Sequence, residues 1–140
     1  MDVFTQYATD EVKEAEGVWD CLGRDDDPKA PALLIARSGN KKYTKMITQQ
    51  VEKHQRELDL KNDAADELSD QLMIEVMART ILLGWKNLEF KGQPLEVSIE
   101  NAKLLLSVKD FRKLVARKSD DIERYRVAHE VEQGKDSKPS

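Results

Sequence analysis

The sequence predicts a mainly α, α+β fold: about four helices, a small N-terminal β-hairpin and a short extended arm around residues 85–96. Three observations carry this. Apolar residues recur at three- and four-residue intervals from Tyr43 onwards, the stretch GVWDCLG (17–23) alternates, and a Gly-Pro segment interrupts the apolar link WKNLEFKGQPLEVS (85–98). The composition agrees: 36% charged and 39% hydrophobic residues, with few aromatics, glycines or prolines, is the profile of a soluble, helix-rich chain. At 140 residues the length fits one domain. Its expected extent is 1–131, with 1–12 as a candidate flexible segment and 132–140 as a disordered polar tail.

In the hairpin, alternation places Trp19 and Cys21 on one face and Val18 and Leu22 on the other, and PALLIAR (31–37) is the second strand, bounded by Pro31 and Ser38-Gly39. The link GRDDDPKAP (23–31) has loop composition, with its acids turned to water. Asn40 is a helix cap, after which Tyr43, Met46, Ile47, Val51, His54 and Leu58 trace an amphipathic helix to about Leu60. Asn62-Asp63 caps a second helix along Ala65, Leu68, Leu72, Val76, Ile81 and Leu83, ending at Gly84. Met73, Ile74, Met77 and Leu82 make its last turns apolar on most sides, so that end should be enclosed.

The arm follows. Trp85, Leu88, Phe90 and Leu95 flank Lys91-Gly92-Gln93-Pro94, which predicts an extended segment that turns and returns. Ser98 precedes a short helix, Ile99 to Leu106. Ser107 with Asp110 looks like a capping box for a last helix carrying Phe111, Leu114, Val115, Ile122 and Tyr125.

Charge and motifs exclude most chemistry. Residues 1–31 carry nine acids against three bases, whereas 107–126 carry seven bases against four acids. Overall acidity argues against non-specific nucleic-acid binding, which draws its affinity from cations neutralising phosphates. No apolar run approaches the ~20 residues that span a bilayer, and the acidic N-terminus lacks an apolar signal-peptide core, so a cytoplasmic location with no membrane partner is expected. The single cysteine, Cys21, cannot form an internal disulfide and has no cation beside it in sequence to activate it.

Asp25-Asp26-Asp27 lacks the alternating ligands and closing glutamate of a calcium loop. His54 and His129 stand 75 residues apart, in no metal-binding pattern. SGNKKY is no phosphate-cradling loop, and Glu75 and Glu89 are unremarkable in so acidic a chain. The reading is therefore of a non-enzyme with no catalytic residue, no metal and no cofactor. Met46, Met73 and Met77 fit either core filling or a soft groove for an apolar partner.

GVW (17–19), IARSGNKKY (35–43), ILLGWKNLEFKGQPLEVSIENAKLLL (81–106) and DFRKLV (110–115), in that order, resemble the tail assembly chaperones of long-tailed, siphovirus-type bacteriophages and prophages over about 17–130. The residues that carry the resemblance, and that it marks as fold-defining, include Arg37, Gly39, Asn40 and Tyr43, then Trp85, Gly92, Pro94, Ser98, Asn101 and Phe111.

The resemblance implies a chaperone that binds the tape measure protein, keeps it soluble and helps recruit major tail protein as the tail tube polymerises. It implies action in the host bacterial cytoplasm, absence from the mature virion, and a frameshift-extended form of the chain as a further partner. A homo-oligomer is open. Met73, Met77, Leu83, Trp85 and Phe90 are the candidate partner-binding residues, with the monomer's core as their other reading. Two other classes stand beside this: a structural tail or head-tail connector component, and a small nucleic-acid-binding regulator using Lys109, Arg112, Lys113, Arg117 and Lys118.

Overall fold

A computed structural model describes residues 1–127. His129 and the polar tail expected at 132–140 lie outside the described residues. The fold is α+β and mainly α, as the sequence predicts, with seven α-helices, five short strands and one 3-10 turn among the described residues.

The N-terminal hairpin is present but is part of a larger sheet. Strand β1 (Val18–Cys21) pairs antiparallel with β2 (Ala32–Ile35), and β2 pairs on its other side with β3 (Leu82–Lys86), giving the order β1-β2-β3. β2 is therefore central, with Leu33 and Ile35 fully buried beneath the helices.

Strand β3 corrects the helix expected to run on to Gly84. Helix α5 (Asp63–Thr80) stops at Thr80, whose hydroxyl donates to the Val76 carbonyl at 2.7 Å, and Gly84 sits within the strand instead of capping a helix. Ile81 and Leu82 change partner at that point: the Ile81 carbonyl accepts from the Ala36 N–H at 2.8 Å.

A bulge fixes which residues face inwards. Leu33 pairs with Trp85, Leu34 with Gly84 and Ile35 with Leu82, so Leu83 is the extra residue. Three positions apart in a regular strand, Leu82 and Trp85 would lie on opposite faces. The bulge lets both enter the core.

The first amphipathic helix is interrupted at His54, giving α3 (Lys41–Lys53) and α4 (Gln55–Leu58), and α3 packs against α5. The caps read from the sequence are present: the Asn40 side chain accepts from Tyr43 N–H (3.0 Å), Asn62 from Ala65 N–H (2.8 Å), and Ser98 from Asn101 N–H (3.0 Å) at the start of α6 (Ile99–Leu106). The expected capping box at Ser107 is absent. The Ser107 hydroxyl turns back to the Leu104 carbonyl at 2.6 Å, and α7 (Lys109–Ser119) starts from Val108 without a side-chain cap. The last helix also ends sooner than expected, with Ile122 and Tyr125 in a separate 3-10 turn (Ile122–Tyr125) that Asp121 caps.

Between β3 and α6 the arm forms a two-stranded hairpin, β4 (Glu89–Phe90) with β5 (Gln93–Pro94). Lys91 (φ 52) and Gly92 (φ 82) both occupy the left-handed region, as a two-residue turn with the twist of the strands requires.

The first residues are helical: α1 (Val3–Tyr7) is capped by Asp2 and α2 (Glu11–Glu16) by Asp10. They are joined to the far end of the chain. The Asp10 N–H donates to the Tyr125 carbonyl at 2.7 Å, and the Lys13 ammonium to the Arg126 carbonyl at 3.0 Å. Gly17 then turns the chain into β1 with φ 86, and a Cβ there would lie 3.2 Å from the Ile35 backbone, so only glycine fits.

Tyr125 is the largest fully buried side chain, and its hydroxyl donates to the Ile35 carbonyl at 2.9 Å. Burial pushes its pKa up to about 12, against the weaker opposing pull of the nearby Arg124 and Arg37 cations. The folded value exceeds the unfolded value of about 10, so folding disfavours the phenolate. Stability should be unaffected by this group below pH ~10 and should fall as pH rises from about 10 to about 12. Ultraviolet titration is expected to show a phenolate step near pH 12 that Tyr125→Phe removes; a step at ordinary tyrosine pH would contradict the buried placement.

Candidate partner-binding site

The five candidate partner residues do not form one surface. Trp85 is 5% exposed and its indole N–H donates to the Leu95 carbonyl at 3.0 Å, so it closes the core beneath the arm. Leu83 is the half-buried bulge residue of β3, and Phe90 lies half-buried against the core with the Lys91 ammonium 5.7 Å from its ring centre. Only Met73 and Met77, one turn apart on α5, come together at an opening.

That opening is a cleft of about 250 Å³ between the start of α3, the C-terminal half of α5 and α7. Tyr43, Met73, Met77 and Ile81 form its apolar floor, Arg112, Lys113 and Ala116 of α7, with Ser38, form the rim, and the buried Ser119 closes one side. Sequence dictates each wall. Met73 and Met77 are i and i+4 on α5, hence on one face. Tyr43 is placed by the Asn40 cap, whose side-chain amide also donates to the Thr80 carbonyl at 3.0 Å and so ties the start of α3 to the end of α5. The Tyr43 hydroxyl reaches to 4.0 Å from the Met73 sulfur.

The rim is positively charged. Arg112 is braced by the Leu106 carbonyl at 2.9 Å and by Asp70 at 3.9 Å, while Lys113 is exposed and has no ion pair among the described residues. The floor can take a large apolar side chain, and the rim favours an acidic residue beside it. In the sequence Arg112 and Lys113 stand out only as part of a basic helix and Ala116 not at all; the signal available is their i, i+1, i+4 spacing on one side of α7.

The remaining fold-defining residues hold local structure. Arg37 stacks over the Tyr125 ring at 5.6 Å, Gly39 has φ 80 at the turn into α3, and Phe111 is half-buried against the core. Gly92 and Pro94 build the arm's hairpin, and the Asn101 side chain donates to the Glu96 carbonyl at 2.8 Å, fastening the arm to α6.

Asp25, Asp26 and Asp27 are exposed, with Asp26 paired to Arg24 at 3.0 Å. Among the described residues no group of three or more His, Cys, Asp or Glu side chains is placed to hold a metal ion, and no helix is long and apolar enough to cross a membrane.

No curated protein and no solved structure matches the chain. A protein-family comparison does: residues 38–136, from the turn before α3 through α7 and beyond, match the YdaY prophage protein family. The match begins after β2, so it takes in every element that lines the cleft. Phage origin, which the sequence resemblance implied, now rests on most of the chain: it belongs to the YdaY prophage protein family.

Proposed function

We propose that the protein is a non-enzymatic tail assembly chaperone that binds the tape measure protein, keeps it soluble and helps recruit major tail protein while the tail tube polymerises. It acts in the host bacterial cytoplasm and leaves before the virion is complete. The observation that carries this is the methionine-floored cleft with a cationic rim, in a chain of a prophage family. Methionine is unbranched and polarisable, so its side chain adapts to differing apolar residues along a long helical client, which suits a chaperone better than a single rigid fit. The cleft admits one apolar side chain at a time, leaving affinity to accumulate over several copies along the client.

The test is co-expression with the tape measure protein of the same prophage. The native chain should convert an otherwise insoluble client into a soluble, co-purifying one. Ala116→Arg fills the cleft from an exposed helix position that contributes nothing to the core, and should reduce recovered client roughly tenfold, equivalent to about 1.4 kcal/mol overall, with unchanged thermal unfolding. A client that stays insoluble beside the native chain would reject the proposal. Presence of the protein in purified virions would favour a structural tail component instead, and salt-dependent retention on DNA or RNA a regulator.

A further inference from the structure

The cleft calls for a particular ligand, and the chain itself carries one. Its floor of Tyr43, Met73, Met77 and Ile81 is apolar, and the charged side chains that line it are the cations Arg112 and Lys113, with no acid among them. The ion pair of Arg112 is loose, 3.9 Å to the exposed Asp70, and Lys113 has none among the described residues. An apolar side chain between two carboxylates matches that surface. Residues 128–140, which follow the last described residue, contain this pattern at Glu130-Val131-Glu132.

The point where the described chain ends puts that segment within reach. Val127 comes two residues after Tyr125, whose ring centre lies 5.6 Å from the Arg37 guanidinium, and Arg37 adjoins Ser38 on the rim. Ser38 in turn donates its N–H at 2.9 Å to the carbonyl of Ser119, which closes the cleft. Four extended residues carry the chain ~14 Å from Val127 to Val131, about the radius of gyration of a domain this size. Another hollow lies near, between α2 and the start of α3, but Glu11, Glu14 and Glu16 line it beside Lys41 and Lys42. Those carboxylates would repel Glu130 and Glu132, so charge selects the cleft. The family match runs to residue 136 and so takes in the segment together with every residue that lines the cleft.

We propose that Glu130-Val131-Glu132 of the chain's own C-terminal segment occupies the cleft, with Val131 on the methionine floor and the glutamates against Arg112 and Lys113, and guards it until a client arrives. Because the segment is joined to the domain, its effective concentration is of the order of millimolar, and a weak contact suffices to fill the site. Valine buries less apolar surface than the floor can cover, so a client offering leucine, methionine or phenylalanine displaces it. A cleft closed in this way presents no apolar opening while the client is absent. The guarding role rests on the chaperone reading; the contact itself does not.

The test uses the full chain with carbon-13 in its methionine methyl groups. Glu130→Lys with Glu132→Lys, and separately Val131→Ser, should move the Met73 and Met77 methyl resonances and leave that of Met46, in the groove between α3 and α5, unmoved. Added salt should shift the native resonances towards those of the charge variant. Ala116→Arg, which fills the cleft, should make Met73 and Met77 indifferent to both changes. Beside the tape measure protein of the same prophage, both segment variants should recover about fivefold more client than the native chain, as expected if the native cleft is open about a fifth of the time. Resonances of Met73 and Met77 that ignore both segment variants would overturn the proposal and leave the chaperone reading standing. Resonances that move without any gain in client would confirm the contact and overturn the guarding role. A client left insoluble by every variant, with resonances that move, would reject the chaperone reading and the guarding role together while confirming the contact.

Discussion

Replacing Trp85 by alanine is expected to lower the unfolding free energy by about 3–5 kcal/mol, a large part of the ~5–15 kcal/mol that holds a domain of this size together. Three structural facts set the magnitude. The side chain is 5% exposed, so truncation opens a cavity in a core that includes Leu33, Ile35, Leu82, Ala102 and Leu106. Leu88, Phe90 and Leu95 of the arm pack against the core to which the ring belongs, and would lose part of that support. The Leu95 carbonyl also loses the indole N–H that it accepts at 3.0 Å.

Trp85→Phe separates these contributions: it keeps most of the apolar volume and removes the hydrogen bond, and should cost about 1–2 kcal/mol. Equilibrium urea unfolding of the three proteins gives the comparison. Native stability in Trp85→Ala, together with loss of client binding, would mean that the ring lines a binding surface and not the core.

Local chemistry explains what could be read from the sequence. The caps at Asn40, Asn62 and Ser98 depend on a side chain reaching an N–H two or three positions on, and apolar spacing along α3, α5 and α7 needs no distant partner. Strand β3 was hidden because LLGWK continues directly from a helix without a breaker, and its extended form is fixed by β2, which lies almost fifty residues earlier. The bulge at Leu83 concealed it further, since Leu82 and Trp85 break the two-residue alternation that marks a strand. For the same reason the apolar pattern places Leu83 on the helix with Met73 and Met77.

Half of the cleft was legible. The pair Met73 and Met77 follows from helix periodicity, but its rim comes from α7, and nothing within either helix records that they meet. Ser107 shows the converse: its spacing to Asp110 fits a cap, yet its hydroxyl is taken by the last turn of the preceding helix, too near to be released.

Asp20 is the second position where a single change should be severe. Alternation in β1 puts it on the face opposite Trp19; Trp19 is 45% exposed and Asp20 is 9% exposed, so the strand turns a carboxylate towards the interior. Two cations meet it there, the Lys118 ammonium at 2.7 Å and the Arg124 guanidinium at 3.0 Å, both on the same oxygen. The three residues come from the edge strand, the end of α7 and the 3-10 turn, so this cluster joins the N-terminal hairpin to the C-terminal part of the domain.

Asp20→Ala leaves the Lys118 ammonium without its ion-pair partner beside Arg124, which keeps only Asp121 at 3.6 Å, in a space with little water. Removing one partner from a buried ion cluster costs about 3–5 kcal/mol, and the lower end applies because the Lys118 and Arg124 side chains, 17% and 29% exposed, can partly turn outwards. Asp20→Asn keeps the shape and a carbonyl acceptor but not the charge, and should fall about midway. Lys118→Met in the Asp20→Ala background removes the stranded charge and should recover roughly 1 kcal/mol or more, because the penalty arises from an unpaired cation and not from a missing attraction. Urea midpoints across this cycle decide the matter: an Asp20→Ala change within about 0.5 kcal/mol of native would place Asp20 among ordinary surface ion pairs.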